Sequence, residues 1–400
     1  MKPAFDYDGN GCRFRTAYHW RVRNTYLQRY RCNFMKKNIA IIGASYLQLP
    51  LIEKAKEMGY TTHVFAWAAN DVGETAADHF YPVSIVEKEQ IAETCREIGI
   101  DGICSIASDL AAVTVNYVAE QLGLPGNSMA CTVKSTNKHQ MRRAFELGGD
   151  PSPRSILVDE NTDLSKLELS YPVIVKPTDR SGSRGIYKLD TPDGLANAVQ
   201  ASMSVGFEKK ALVEEFAEGD EYSVEGISFN GCHHILAITR KFTTGAPHFI
   251  ETGHREPADV SAETYERVKQ VVMHALDSLE IRNSASHSEI KISEDGKIRL
   301  IEIGGRMGGD CIGSDLVQYS TGIDYVRAVI QVACGIEPDL TPVSEHMPVE
   351  VRFLFTQEDV NEMNRLKETD RFLRLVAYYP ESLGLATDSS NRAGCYLLKA

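Results

Sequence analysis

The sequence predicts a mixed fold, an α/β first part followed by α+β segments, on three observations. From Asn38 short apolar runs alternate with amphipathic stretches. From about Ala211 strand patterns follow one another with turn residues between them, and helical periodicity returns at Ala262 and Asp324 to cover one face. At 400 residues the chain is long enough for two or three domains and a large core.

The first part opens with Ile39-Ala40-Ile41-Ile42-Gly43, then a helix over Leu47 to Met58 and a strand at Thr62 to Ala66. A helix over Glu87 to Ile98, a strand at Gly102 to Ala107 and a helix over Asp109 to Leu122 complete it. Strands alternating with helices imply a parallel sheet with right-handed crossovers, a Rossmann-like unit. Its first turn, Gly43-Ala44-Ser45-Tyr46-Leu47-Gln48, lacks the later glycines of the dinucleotide fingerprint. Tyr46 and Gln48 would crowd a pyrophosphate, which argues against an NAD-dependent oxidoreductase.

After Pro125-Gly126-Asn127 a helix is expected from about Val133 to Leu147, carrying Lys138. A short unit follows: the strand Pro172 to Pro177, a Gly/Ser-rich loop, the strand Gly185 to Leu189 and a helix from Pro192 to about Ser204. Antiparallel strands are then expected near Ala211 to Phe216, Glu221 to Phe229, His234 to Phe242, Ser286 to Ile292 and Arg299 to Ile303. Helices over Ala262 to Leu279 and Asp324 to Cys334 pack on them. The end, from Val349 to Gly394, reads as an extra α/β portion packed on this last domain.

Composition narrows the function classes. Apolar residues make up 43% and charged residues 24%, ordinary for a soluble enzyme, and no run approaches the roughly 18 apolar residues of a membrane helix. The net charge is -12, yet residues 1–34 hold seven Lys/Arg against two Asp, so the body is strongly acidic. Such a body argues against nucleic acid as a partner. The basic stretch 1–34 reads as a disordered extension or a mis-assigned start, since Met35-Lys36-Lys37-Asn38 before a strand is a natural beginning; a transit sequence is the alternative. Nine scattered cysteines without a Cys-x-x-Cys pair suit reduced thiols in a cytoplasmic protein.

Chemistry concentrates in Leu300-Ile-Glu-Ile-Gly-Gly-Arg-Met-Gly-Gly-Asp-Cys-Ile-Gly-Ser-Asp315. An apolar strand delivers one carboxylate, Glu302, then one guanidinium, Arg306, then a glycine turn with Gly308 and Gly309. By itself this is an ordinary strand and turn. The preceding strand carries a second acid, Glu289, and Ser293-Glu294-Asp295-Gly296-Lys297 has hairpin turn chemistry, so Glu289 and Glu302 can face each other. The isoleucines around them are expected on one face and the charges on the other. Two carboxylates on one face repel unless a cation intervenes, and magnesium suits a few carboxylates plus substrate phosphates.

Further upstream, Lys176 ends a buried strand, where an ammonium is costly without an anion beside it. The loop after it, with Ser181, Gly182, Ser183 and Gly185, has the small residues from which backbone N–H groups can form an anion nest. It is not a Walker loop. Glu214-Glu215-Phe216-Ala217 ends another strand and offers backbone to a purine edge, with Glu221 placed for ribose hydroxyls.

Taken in order, these elements resemble the ATP-grasp superfamily from Met35 to the end. The resemblance matches Lys138 and Lys176 to its nucleotide lysines, Ser181 to Gly185 to its phosphate loop, Glu214 to Ala217 to its adenine connector, Glu221 to its ribose acid, and Glu289 and Glu302 to its magnesium ligands. It implies an ATP-grasp fold: a Rossmann-like pre-ATP-grasp domain over 35–130, a linker helix and small lid over 131–210, and a mainly antiparallel C-terminal domain with the metal site over 211–400. Many relatives carry Asn two residues after the second metal acid, where this chain has Gly304, so the third metal ligand is open. The Glu-Ile-Gly-Gly-Arg-Met-Gly-Gly form is similar to the branch of L-amino acid ligases, alongside biotin-carboxylase-like and carbamoyl-phosphate-synthase-like proteins.

That resemblance implies ATP and Mg (or Mn), an acyl phosphate made by a carboxylate, and capture by an amine, with ADP and phosphate released. Arg306 suits a bidentate hold on the carboxylate and acyl phosphate, and Gly308 and Gly309 can bring backbone amides close. In Pro247 to Pro257, His254 is the candidate substrate contact and Glu251 a partner for an amino group; both alternatively read as exposed loop residues. The expected partners are a small-molecule carboxylate and amine, with a homodimer as an open assembly. The alternatives are a ligase using bicarbonate or formate, as in biotin-carboxylase-like or purine-biosynthesis proteins, and a non-catalytic ATP-binding module.

Overall fold

The computed structural model describes residues 37–246, 249–389 and 391–400. The basic stretch 1–34 lies outside the described residues, as do Pro247 and His248 of the substrate-loop segment.

Four parallel strands form the first sheet: β1 (Asn38–Ile42), β2 (Thr61–Phe65), β3 (His79–Tyr81) and β4 (Gly102–Cys104), in the order β3-β2-β1-β4. Helices Leu49–Glu57, Lys88–Ile98 and Asp109–Leu122 cover it, so β1 buries both faces and reads as continuous Ile-Ala-Ile-Ile. One face packs Ala40 and Ile42 on Ile91 and Val118. The other packs Ile39 and Ile41 into a core that reaches Tyr325 and Ile330 of the distant helix Tyr325–Ala333. Gln48 donates to the Ile106 carbonyl at 2.8 Å and fills the space beside Gly43, where a Cβ would meet it at 2.9 Å.

A second sheet, in the order β5-β8-β6-β7, is antiparallel: β5 (Ser155–Val158), β6 (Val173–Pro177), β7 (Tyr187–Leu189) and β8 (Ala211–Glu215), backed by the helix Leu195–Val205. Strand β5 was not anticipated, since four residues give too little alternation to read.

Eight strands make the third sheet: β9 (Asp220–Phe229), β10 (Cys232–Thr243), β11 (Glu251–Glu256), β12 (Ser284–Ile292), β13 (Ile298–Gly304), β14 (Val349–Leu354), β15 (Phe372–Tyr378) and β16 (Gly394–Lys399). Their order is β13-β12-β9-β10-β11-β14-β16-β15. The end of the chain therefore continues this sheet through β11 and β14 instead of packing on it as a separate portion. The segment read as a loop around Glu251 and His254 is β11, paired to β10 and β14.

The linker helix also differs. Met129–Thr136 and Lys138–Gly148 are two helices, broken at Asn137, whose side-chain oxygen accepts the amides of His139 and Gln140 at 3.1 Å each. Among the described residues no helix is long and apolar enough to cross a membrane. Cys95, Cys104, Cys131, Cys311 and Cys395 are buried.

Candidate active site

One cavity gathers residues from the second and third sheets and from Asp109 on a helix of the first unit, and most of the sequence candidates line it. Glu289 and Glu302 are direct register partners on β12 and β13. Between Ile290↔Leu300 and Glu289↔Glu302 the ladder shifts, and Ile301 is the extra residue of a bulge. The expected face assignment is corrected accordingly: Leu300 and Ile303 are buried at 0%, whereas Ile301 turns with Glu302 to the cavity. The bulge sets an apolar wall beside the acid.

Each acid is held by a lysine. Lys138, the first residue of its helix and 4% exposed, donates Nζ to Glu302 at 2.8 Å and to the Arg180 carbonyl at 2.6 Å. Lys241 on β10 donates to Glu289 at 2.6 Å and lies 3.0 Å from Glu221 and 3.7 Å from Glu251. Burial works against the Lys241 charge, but these three carboxylates keep it well above the usual lysine range. Burial likewise opposes the Glu289 charge, and Lys241 and His287 hold that carboxyl well below its ordinary value.

Lys176 and Glu214 form a buried pair, each about 4% exposed at the side chain, and Arg142 joins them with Nε 3.0 Å from Glu214. Arg142 also donates to the Ile301 carbonyl at 2.7 Å, tying the small sheet to the bulge. Burial lowers Lys176 even with Glu214 beside it. In the connector, the amides of Glu215 and Phe216 are bonded to the Arg154 and Pro172 carbonyls, so those two donors serve the small sheet. Phe216 lies under Lys188 and Lys291, whose Nζ atoms stand 4.7 and 4.8 Å from the ring centre.

The glycine loop presents Ser181, Gly182 and Ser183 to the cavity. Gly182 and Ser183 have φ of 70° and 58°, left-handed backbone of the kind from which anion nests are built. Gly185 is not part of the lining; its space is set by Val205, 2.5 Å from where a Cβ would stand.

On the far side Arg306 lines the cavity, with Nε and Nη2 donating to Asp109 at 2.7 and 2.9 Å and Nη1 to the Met307 carbonyl at 3.3 Å. Glu251 also lines it and accepts from the Ser389 hydroxyl. Three candidates stand back. His254 is 1% exposed on β11, edge-on to Phe353, with its Nε2 3.7 Å from Asp310, and burial holds its ring below the usual histidine range. It is a buried strand residue, not an exposed loop residue. Gly308 gives its amide to Glu225 at 3.1 Å and Gly309 packs against Ala107, so neither lines the cavity.

Five lining or supporting groups escaped the sequence reading: Asp109, Arg142, Lys241, His287 and Glu225. Glu225 is fully buried and bonded to His287 Nδ1; burial opposes the ring's charge, yet Glu225 pushes it up to about 9. The donor set fits magnesium in one respect, two opposed carboxylates open to the same cavity. Among the described residues no group of three or more His, Cys, Asp or Glu is arranged around a metal position. A hard ion sharing substrate phosphates needs no such cage.

Residues 169–315 match the ATP-grasp domain family. The chain is 26% identical over 306 residues to the alanine–anticapsin ligase of Bacillus subtilis, covering 68% of this chain and 64% of that one. It is 24% identical over 337 residues to carnosine synthase 1 of Mus musculus, covering 76% of this chain and 40% of that one. It thus spans less than two thirds of these relatives. The L-amino acid ligase of Bacillus licheniformis superposes with a TM-score of 0.76 at 24% identity, covering 91% of this chain and 93% of that one. Phosphoribosylglycinamide synthetase of Anaerococcus prevotii gives 0.73 at 21%, covering 91% and 94%. Residues 169–315 match an ATP-grasp domain, and the chain has an ATP-grasp fold.

Proposed function

We propose that the protein is an ATP- and Mg-dependent carboxylate–amine ligase that joins amino acids through an acyl phosphate and releases ADP and phosphate. The observation that carries this reading is the opposed pair Glu289 and Glu302, each neutralised by a lysine, in one cavity with Lys176 and Arg306. Magnesium between the two acids would offset charge on the transferring phosphoryl group. Lys138 and Lys241, beside these acids in the same cavity, supply positive charge for anionic groups. Lys138 and Lys176 face the nucleotide phosphates, the amides of Ser181 to Ser183 cover them, and Ile174, Ile186 and Ile301 wall the base. Glu221 takes the ribose hydroxyls.

Arg306 holds the reacting carboxylate, with Glu251 the partner for an ammonium in the same cavity. Its planar fork fits a carboxylate or phosphate where lysine offers a point charge. The ligase names among the relatives favour amino acids as both substrates.

Purified protein with ATP, Mg²⁺ and paired amino acids should release ADP and phosphate and yield a dipeptide. Release of AMP, or no turnover across a broad panel, sinks the reading. Turnover driven by bicarbonate without an amine points to a carboxylase instead.

A further inference from the structure

The main cavity and a second hollow meet at Asp109, outside the residues matched to the ATP-grasp domain. Asp109 is the first residue of the helix Asp109–Leu122, and that helix start is fixed by Ser108, whose hydroxyl accepts the Ala111 amide at 3.2 Å. The turn before it docks on the Arg306 loop, with the Ala107 amide donating to the Met307 carbonyl at 3.1 Å. The acid therefore reaches the site on a rigid support.

Its carboxylate takes two of the five donors of Arg306, and the Met307 carbonyl takes a third. Two N–H groups remain, one each on Nη1 and Nη2. A bidentate clamp fixes the plane of the guanidinium as well as its place. Gly304 makes the room: a Cβ there would stand 2.9 Å from Asp109 Oδ1 and 3.4 Å from Arg306 Cζ. Burial opposes the Asp109 charge, and Arg306 holds the carboxyl below its usual range, so the clamp stays ionised.

We propose that Asp109 is a positioning residue of the ligase reaction, clamping Arg306 so that its remaining Nη1/Nη2 edge receives the anionic group of the acyl phosphate. The inference rests on the ligase reading above. The geometry also sets a reciprocal expectation: the space beside residue 304 holds one carboxylate, supplied by either position.

Calorimetry on the full chain tests it, with MgADP alone and then inorganic phosphate added to saturating MgADP. Asp109→Ala should bind MgADP within about twofold of wild type but phosphate at least about tenfold more weakly, the equivalent of one charge-assisted hydrogen bond. Asp109→Asn, which keeps the shape, should show the same split. Asp109→Ala with Gly304→Asp returns a carboxylate beside Arg306 and should recover most of the phosphate affinity, which a merely structural role for Asp109 does not provide. Unchanged phosphate affinity in the single variants, equal loss of MgADP and phosphate, or no recovery in the double variant overturns the role of Asp109. A wild type that binds MgADP but no phosphate overturns it too, by removing the anion from Arg306. A wild type that binds neither MgATP nor MgADP sinks the ligase reading itself.

Discussion

Glu214→Ala probes the electrostatic centre of the site. The carboxylate is 4% exposed and takes Arg142 Nε at 3.0 Å, Arg142 Nη2 at 3.3 Å and Lys176 Nζ. Burial disfavours its charge, yet Arg142 and Lys176 hold it below the ordinary carboxylate range. Its contribution to stability is thus present above the unfolded value and lost as pH falls through the depressed folded one. Removing it leaves two buried cations with no anion, a cost of about 3–5 kcal/mol. Over roughly 360 folded residues, with an unfolding entropy of about 2.1 cal/mol/K each, that lowers the melting temperature by about 4–7 °C. Lys176→Met removes one cation and keeps the Arg142–Glu214 pair, so it should cost only about 1–2 kcal/mol. Thermal melts at pH 7 followed by circular dichroism give the order. If Glu214→Ala is no more destabilising than Lys176→Met, the triad is not held by charge balance.

Other substitutions separate further parts of the site. Glu302→Ala or Glu289→Ala should reduce Mg-dependent turnover roughly hundredfold or more, measured as phosphate release; retained turnover refutes the metal assignment. Glu256 is fully buried, and burial raises its carboxyl to about 7 although Ser320 and Thr239 bond to it. With the folded value raised, stability falls as pH rises from about 4.5 to 7, by about 3 kcal/mol. Glu256→Gln should remove that slope in urea titrations at pH 5 and pH 8, and parallel curves for variant and wild type contradict it. Gly308→Ala places a Cβ 2.7 Å from His287 Nδ1 and 2.9 Å from Glu225 Oε1, so it should lose about 1–3 kcal/mol of stability in the same titrations.

What the sequence reveals depends on how local the cause is. Lys176 stood out because a charge closes an apolar strand, and Glu289 and Glu302 because the Asp295-Gly296 turn fixes their register. The bulge at Ile301 carries no glycine or proline to mark it, so the face of that residue was misread. Strand β11, Glu-Thr-Gly-His-Arg-Glu, looks like a polar loop because it lies inside an eight-stranded sheet where its charges find cross-strand partners, Arg255 with Glu350 at 3.0 Å among them. Lys241 looks like an ordinary strand lysine until β9, β11 and β12 bring three acids around it. Asp109 and Arg306 are 197 positions apart, and nothing near either one announces the other.

Asn137 is a middle case, in which two local signals in the sequence compete. Amphipathic spacing runs through Val133 to Leu147 without interruption, so periodicity alone gives one helix. Asparagine before Lys-His-Gln is also a helix-start signal, because its short side chain satisfies amides that the first turn leaves bare. In the structure that capping wins: Asn137 ends one helix in an extended conformation, ψ 113°, and starts the next. The break sets Lys138 at the first position of the new helix, its Nζ reaching both Arg180 and Glu302. Arg142, one turn later on the same face, reaches Glu214. An unbroken helix would carry both cations along one straight axis from Val133, which is 48% exposed on the outer side. The cap residue thereby aims two of the cations that the acids of this site require.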